Sequence, residues 1–201
     1  MGKLVFGIGF NDRKYPTKVD GKHTNEYSAW QNMLLRCTPA WWSKHPTYTG
    51  VSCSDNFKSY SFFYEWCQTR IGFYNKEGNE RNWQLDKDIL LKGNKVYNED
   101  ICVFVPQKVN KLIVKGDAVR GEYPVGVYLH KHTNKFMARC SNGEGNGKSK
   151  YLGVYDTYID AFNAYKTFKE KRIKAIAGEY KNELDVRAYQ ALINYEVNLN
   201  D

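Results

Sequence analysis

The chain has 201 residues, of which 42% are hydrophobic and 26% charged, a composition typical of a folded globular protein rather than a disordered one. Thirty Lys and Arg against 22 Asp and Glu give a net charge of +8, which favours a polyanionic partner such as nucleic acid. No run of 18 apolar residues occurs, and residues 1–14 lack the apolar core and cleavage site of a signal peptide. We therefore expect a cytoplasmic protein with no membrane partner.

The basic surplus lies in two blocks. Residues 1–120 carry 18 basic and 12 acidic side chains, residues 121–174 carry 10 and 5, and residues 175–201 carry 2 and 5. The last block is therefore an acidic tail. The chain also has five widely spaced cysteines with no CxxC pair, which predicts buried thiols rather than a zinc cluster. These cysteines are Cys37, Cys53, Cys67, Cys102 and Cys140.

Two helices are predicted early in the chain from apolar residues at helical spacing. The first covers residues 25–37, and the second covers residues 55–70 with Ser54 as its N-cap. Between them, residues 38–50 contain two prolines and a glycine, so this segment is predicted to be irregular.

A strand, a loop and a helix are predicted after the second helix. The strand covers residues 83–88 and the loop runs through Gly93. A second short strand or turn follows, and then a helix begins near Pro106, since proline suits the first helical turn.

The periodicity changes after residues 115–121, KGDAVRG, which have the composition of a linker. Three β-like runs follow, separated by turns at TN and NGEGNG, and they cover residues 125–131, 135–141 and 150–155. A helix is then predicted from a cap at Thr157 to a stop at Gly178. This order predicts a small α+β module, a three-stranded antiparallel sheet with one packed helix.

The module carries four motifs in order: GVYLHK, KFMAR, YLGVYDT and AFNAY. In this order they resemble the plant ethylene-response-factor DNA-binding domain, the Apetala class, over residues 123–175.

The resemblance implies that the sheet lies in the major groove of double-stranded DNA. The side chains predicted to line the DNA-binding face are Tyr128, His130, Lys135, Arg139, Lys148 and Lys150. Arg139 is predicted to read a base, whereas the other cations are predicted to contact phosphates. The alternative is a solvated cationic sheet without a partner.

The N-terminal part carries the motifs GIGFND, YSAWQNMLLRC, HPTYTGVSCSDNF and LDKDILLKGNKVYNEDICVFVP within residues 7–113. These resemble a group of phage-encoded proteins with a degenerate HNH-nuclease-like motif. In such enzymes two strands and a helix hold a divalent metal that stabilises charge on the scissile phosphate. Several phage HNH endonucleases also carry an Apetala-class domain, so the order of the two parts agrees with the resemblance.

Carried over by position, the resemblance places Asp86 at the metal and Lys87 where the family has its histidine base. Ile101 stands near the place of the metal-binding asparagine. Because Asp86 and Asp88 alternate on the predicted strand, they are expected to share a face and to hold Mg²⁺ or another divalent cation. The alternative is an exposed acidic pair.

Further candidates come from other segments. His45 is an alternative base, and Arg36 is predicted either to clamp a phosphate or to pair structurally with Asp55 or Asp86. The alternative oxygen ligands are Asn94, Asp100 and Asn110.

Together these features predict an α+β protein with a degenerate HNH-like, ββα-containing domain over residues 1–115. An Apetala-class domain is predicted over residues 122–178 and an acidic helical tail over residues 179–201, which packs back on the fold or mediates dimerisation. The predicted function is that of a metal-dependent DNA nicking or homing-type endonuclease, in the host cytoplasm if the protein is phage-encoded. Two alternatives remain: a catalytically inactive DNA-binding protein that acts in regulation or host takeover, and an inhibitor that binds a protein partner.

Overall fold

Helices and short strands follow one another in separate groups, and most strand pairs are antiparallel, which defines the α+β class predicted from the sequence. The computed structural model of the protein describes residues 3–79, 81–113, 121–141 and 149–201. Residues 115–120 of the predicted linker at 115–121, and the predicted turn at residues 142–147, lie outside these ranges. Two compact units are present, one of Met1–Gln107 with Glu183–Ala188 and one of Lys108–Asn182 with Tyr189–Asp201.

The helices are α1 Asn25–Arg36, α2 Pro39–Trp42, α3 Asp55–Lys58, α4 Tyr60–Gln68, α5 Gln107–Ile113, α6 Tyr158–Glu179 and α7 Val186–Ile193, with a 3₁₀ helix at Pro46–Tyr48. Within the described ranges, none is long and apolar enough to cross a membrane. The strands are β1 Lys18–Val19, β2 Lys22–His23, β3 Ser52–Cys53, β4 Lys76–Glu77, β5 Arg81–Asn82, β6 Gln84–Asp86, β7 Val96–Tyr97, β8 Val103–Val105, β9 Val127–His130, β10 Lys135–Ser141 and β11 Ser149–Tyr155. β3 and β7 pair in parallel, whereas the pairs β1–β2, β4–β5 and β6–β8 and the sheet β9–β10–β11 are antiparallel.

The first predicted helix is confirmed as α1, which begins after the capping hydroxyl of Thr24. The second predicted helix is wrong as a single element because Ser59 is extended, with φ −83° and ψ 126°, and separates α3 from α4. The backbone of Phe10 lies beside this break, donating to Lys58 O at 2.9 Å and accepting from Tyr60 N at 3.0 Å. This pairing with a distant segment stabilises the interruption of the helix.

Aromatic side chains form much of the core of the first unit. Trp30 of α1 is fully buried and its indole Nε1 donates to Phe57 O at 2.8 Å. Phe57 packs edge-on against Trp66, and Trp66 in turn contacts Phe104 of β8. The antiparallel pair β6–β8 is thereby attached to the helices, which fixes the position of the residues that follow β6.

The second unit packs one face of its three-stranded sheet against α6. The buried core comprises Val127, Ala138, Cys140, Ala161, Phe162, Tyr165 and Val197. Thr157 caps α6, but the helix passes Gly178 and ends at Glu179. Because Val197 belongs to this core and its N–H donates to Glu170 Oε1 at 2.9 Å, the end of the predicted tail packs on the second unit.

Candidate functional site

The register of the sheet in the second unit decides which side chains share its outer face. Ala138 and Cys140 of β10 are buried against α6, so the alternating residues Met137 and Arg139 point outward. Residues directly opposite on antiparallel strands lie on the same face. Met137 pairs with Tyr128 and Val154, and Lys135 pairs with His130. The outer face thus carries Tyr128, His130, Lys135, Met137, Arg139, Tyr151 and Val154.

A β-bulge shapes the centre of this face. Ala138 pairs with Gly153 and Arg139 pairs with Tyr151, so Leu152 is an extra residue in β11. The extra residue shifts the alternation of β11 by one position. Tyr151 therefore lies on the outer face, where 55% of it is exposed.

Four of the six predicted DNA-contacting residues share the outer face: Tyr128, His130, Lys135 and Arg139. The prediction for Lys150 is wrong as to its face, because Lys150 pairs with buried Cys140 and its Nζ lies 5.1 Å from the Phe168 ring centroid on the α6 side. Lys148 lies outside the described residues.

The two outer-face cations of β10 differ in their partners. Lys135 Nζ lies 2.8 Å from Asp156 Oδ1 in an exposed ion pair. Arg139 makes no side-chain hydrogen bond or ion pair to any residue that the structure describes. Arg139 is opposite exposed Tyr151, and exposed Tyr128 is opposite Met137 on the same face. The described residues of these three strands include no Asp or Glu. The guanidinium is therefore available to an anionic or hydrogen-bonding ligand.

The three predicted catalytic residues of the first unit surround the ring of Tyr48. Arg36 Cζ lies 5.9 Å, Lys87 Nζ 6.0 Å and the His45 ring 6.5 Å from its centroid. His45 also stacks on Trp41 at 4.1 Å. Residues distant in sequence are thus brought to one place by an aromatic side chain that the sequence analysis did not single out.

Arg36 and Lys87 also meet at Tyr97 of β7. Arg36 Nη1 donates to the Tyr97 hydroxyl at 3.4 Å, and Lys87 Nζ lies 5.8 Å from the Tyr97 ring centroid. Burial opposes the charge of Arg36, but the interactions with Tyr97, Tyr48 and Asp86 outweigh it and raise the pKa of Arg36. Burial in turn raises the pKa of the Tyr97 hydroxyl. Arg36 therefore stays cationic, and Asp86 is among the charges that stabilise it, whereas Asp55 pairs with Lys58.

Lys87 is held by the loop that follows it. Its side chain is only 8% exposed, and its Nζ lies 2.7 Å from Asp88 Oδ2 and 2.8 Å from Asn94 O. Asn94 closes the loop, since its Nδ2 donates to Lys87 O at 2.9 Å and to Val96 O at 2.7 Å. The side chain of Asn94 is therefore a structural clamp, and Lys87 is an ion-paired ammonium.

Asp86 and Asp88 differ from the predicted acidic pair. β6 ends at Asp86, and Asp86 Oδ1 accepts the backbone N–H groups of Asp88 and Ile89, each at 2.7 Å. The prediction that both aspartates alternate on a strand is therefore wrong, because the Asp86 carboxylate folds the chain into a turn. Burial raises the pKa of Asp86 even though both N–H groups favour its ionised form.

The donor set for a metal is small in this region. Asp86 Oδ2 and Asp88 Oδ1 make no hydrogen bond to any residue in the described ranges, so one oxygen of each carboxylate remains for a cation. Among the same residues, no group of three or more His, Cys, Asp or Glu side chains is placed to hold a metal.

No protein-family model, curated protein or solved structure matches the chain.

Proposed function

We propose that the protein binds double-stranded DNA through the outer face of β9–β10–β11. The observation that carries this proposal is the placement of Arg139, an exposed guanidinium that no described carboxylate neutralises, opposite exposed Tyr151 on the outer face. Exposed Tyr128 lies on the same face, opposite the neighbouring outer-face residue Met137. The major groove admits a two-stranded β-ribbon, and the antiparallel pair β10–β11, which carries Arg139 and Tyr151, is a ribbon of that kind. The net charge of +8 adds attraction to the phosphate backbone.

The outer face offers two kinds of contact. Arg139 has the fork of donors that binds guanine O6 and N7 together, which reads sequence. His130 and Lys135 lie at the end of the sheet where β9 turns into β10 and are suited to phosphates, although Lys135 must exchange Asp156 for the DNA. The resemblance to the Apetala-class domain supports the same orientation of the sheet.

A pair of matched variants tests this proposal. A preferred duplex is first selected from a random pool, and its affinity is then compared with that of random DNA for Arg139→Ala and Lys150→Ala. Arg139→Ala is expected to weaken the preferred duplex by roughly 5- to 150-fold, the effect of one bidentate base contact, and random DNA less. Lys150→Ala is expected to change both affinities little, because Lys150 lies on the α6 face. Equal losses from both variants would contradict the proposal.

A second candidate function is metal-dependent cleavage of DNA in the first unit. It is favoured by Arg36, His45 and Lys87 gathered round Tyr48. The antiparallel pair β6–β8 also supports it, since the nuclease motif includes two strands. Asp86 Oδ2 and Asp88 Oδ1 are the oxygens that would hold Mg²⁺, which would stabilise charge on the scissile phosphate. His45, an exposed imidazole stacked on Trp41, is better placed to accept a proton from water than Lys87, which is buried in an ion pair with Asp88.

Supercoiled plasmid distinguishes the candidates. The plasmid is incubated with the wild-type protein in the presence of Mg²⁺ or Mn²⁺ and, separately, of EDTA. The Asp86→Ala and Asp88→Ala variants are assayed with the metal in the same way. Nicking that requires the metal and is lost in both variants would support the endonuclease. A plasmid that is retarded in the gel but not cut would indicate a DNA-binding protein without catalytic activity, acting in regulation or host takeover. If the plasmid is neither cut nor retarded, both proposals fail and the inhibitor hypothesis, with a protein partner, takes their place.

A further inference from the structure

The outer face of β9–β10–β11 carries a row of apolar side chains. Tyr128, Met137 and Val154 lie directly opposite one another across the three strands. Tyr128 is 53% exposed and Val154 is 41% exposed, and Met137 between them is half-buried. An antiparallel sheet with one solvated face usually directs its apolar side chains inward and polar ones outward. This apolar row therefore exposes surface on the side away from the core, which is typical of a binding surface.

Basic side chains lie on both sides of the apolar row along β10. Lys135 and its cross-strand partner His130 occupy the neighbouring outer-face position on one side, and Arg139 occupies the position on the other. The described residues of the three strands include no Asp or Glu, although Asp156, directly after β11, pairs with Lys135. An occupant of this face is therefore expected to carry negative charge around a small apolar group.

The major groove of DNA offers this combination. Each base pair displays hydrogen-bonding groups there, and the apolar group among them is the 5-methyl group of thymine. An apolar side chain that covers a polar group of a base edge removes it from water without giving it a hydrogen bond, which costs free energy. An apolar row in the groove therefore favours a position where thymine presents its methyl group.

The spacing along β10 sets the distance between this thymine and the base that Arg139 binds. Met137 and Arg139 are two residues apart, which is about 6.6–6.8 Å along a strand. Successive nucleotides of one DNA strand are about 3.4 Å apart along the helix axis, so this distance corresponds to about two base steps when β10 runs along the groove.

We propose that the apolar row, with Met137 at its centre, recognises the 5-methyl group of a thymine about two base steps from the base that Arg139 binds. The proposal rests on the DNA binding proposed above for the same face. It assigns Met137 as a specificity-determining residue and gives the apolar row a chemically defined target.

Replacement of thymine by deoxyuridine tests the proposal, because it removes the methyl group and leaves base pairing unchanged. The preferred duplex is selected from a random pool with the full chain, and each thymine is replaced in turn. The Arg139-bound base is located as the position where Arg139→Ala relaxes the base preference. We expect a loss of affinity of roughly fourfold, the effect of one buried methyl group, at a thymine about two steps from that base. Replacements elsewhere should have little effect.

Two variants assign the effect to the apolar row. Met137→Ala is expected to bind the thymine and deoxyuridine duplexes equally, because it removes the central side chain of the row. Ile159→Ala is the control, since Ile159 is an exposed apolar residue of α6, on the other side of the sheet, and should keep the fourfold difference. The replacement in the DNA is informative with the wild-type protein alone, so the test does not depend on the folding of Met137→Ala.

The outcomes distinguish this proposal from DNA binding itself. A preferred duplex that tolerates every deoxyuridine replacement, or that has no thymine near the Arg139-bound base, would overturn the thymine proposal and leave the proposed DNA binding intact. A fourfold difference that persists in Met137→Ala would also overturn it, because other residues would then contact the methyl group. Failure to bind any duplex would overturn both proposals and indicate a protein partner for this face.

Discussion

Arg139 and Tyr151 lie directly opposite each other in β10 and β11, one register position beyond the bulge at Leu152. Cross-strand neighbours on one face are close enough for their side chains to act together. The guanidinium and the phenol ring thus form one surface, with Tyr128 on the other side of β10. A base edge that Arg139 binds would therefore lie beside the exposed ring of Tyr151.

Tyr151 is expected to contribute to DNA affinity through its ring. Tyr151→Ala should weaken binding by several-fold, because an exposed aromatic loses its contact area with sugars and bases. Tyr151→Phe keeps the ring and should bind nearly as the wild type does. Fluorescence anisotropy with a labelled duplex measures both affinities. If both variants bound equally weakly, the hydroxyl and not the ring would be the contact.

Gly126 is expected to be essential for the stability of the second unit. Its φ is +80°, and an added Cβ would lie 2.1 Å from Tyr165 Cδ2. Gly126→Ala should therefore lower the free energy of unfolding by about 2–4 kcal/mol, from backbone strain and overpacking together. Gly121→Ala is the control, since nothing lies within 4 Å of its added Cβ. Denaturant unfolding followed by circular dichroism distinguishes them, and a Gly126→Ala variant as stable as the control would contradict the packing described.

Asp86 is expected to reduce stability as the pH rises. Its folded pKa lies above its unfolded value because of burial, so the unfolded state releases the proton first. The contribution of Asp86 to stability is therefore highest below the unfolded pKa, near 3.9, and is lost as the pH rises through the folded pKa.

The Asp86→Asn variant isolates this effect. Its amide oxygen can still accept the N–H groups of Asp88 and Ile89 but does not titrate. The stability of the variant relative to the wild type should therefore increase between about pH 4 and pH 7. Urea unfolding across that range provides the comparison. A relative stability that falls with rising pH would show that the ionised Asp86 carboxylate is stabilising.

Local patterns predicted several elements well. The run at residues 135–141 coincides with β10, and Thr157 caps α6 as its sequence context indicates. Such elements depend on periodicity and on a side chain that bonds its own backbone, which are visible in sequence. The same holds for the outward direction of Tyr128 and Arg139, since each is only one residue from a buried neighbour.

Other features depend on distant contacts. The break at Ser59 is accompanied by pairing with Phe10, some fifty residues away in the chain, and the apolar spacing of residues 55–70 gives no sign of it. Simple alternation along β11 would place Lys150 on the outer face. The bulge at Leu152 moves it to the opposite face, because the extra residue changes which side chains point outward. A bulge adds one residue to one strand, so the residues of that strand on one side of the bulge point to the opposite face from the one that simple alternation predicts.

The sequence predicts individual residues of the cluster in the first unit, but not that they lie together. Arg36, His45 and Lys87 were each named from the sequence, but Tyr48 and Tyr97, which bring them together, lie in a short 3₁₀ helix and a two-residue strand. The sequence predicts that Asp86 and Asp88 alternate on one strand and share a face. The strand instead ends at Asp86, whose carboxylate folds the chain into a turn, because hydrogen bonding to its own backbone competes with strand geometry.

The salt dependence of DNA binding tests the central claim most directly. A labelled duplex is titrated with the full chain at about 50 mM and about 200 mM salt, and the dissociation constants are compared. If a cationic sheet face neutralises several phosphates, the affinity should fall by roughly a thousandfold or more across this range, because bound counterions are released. Undetectable binding at the lower salt concentration, or an affinity that salt leaves unchanged, would contradict the proposal that this protein binds DNA.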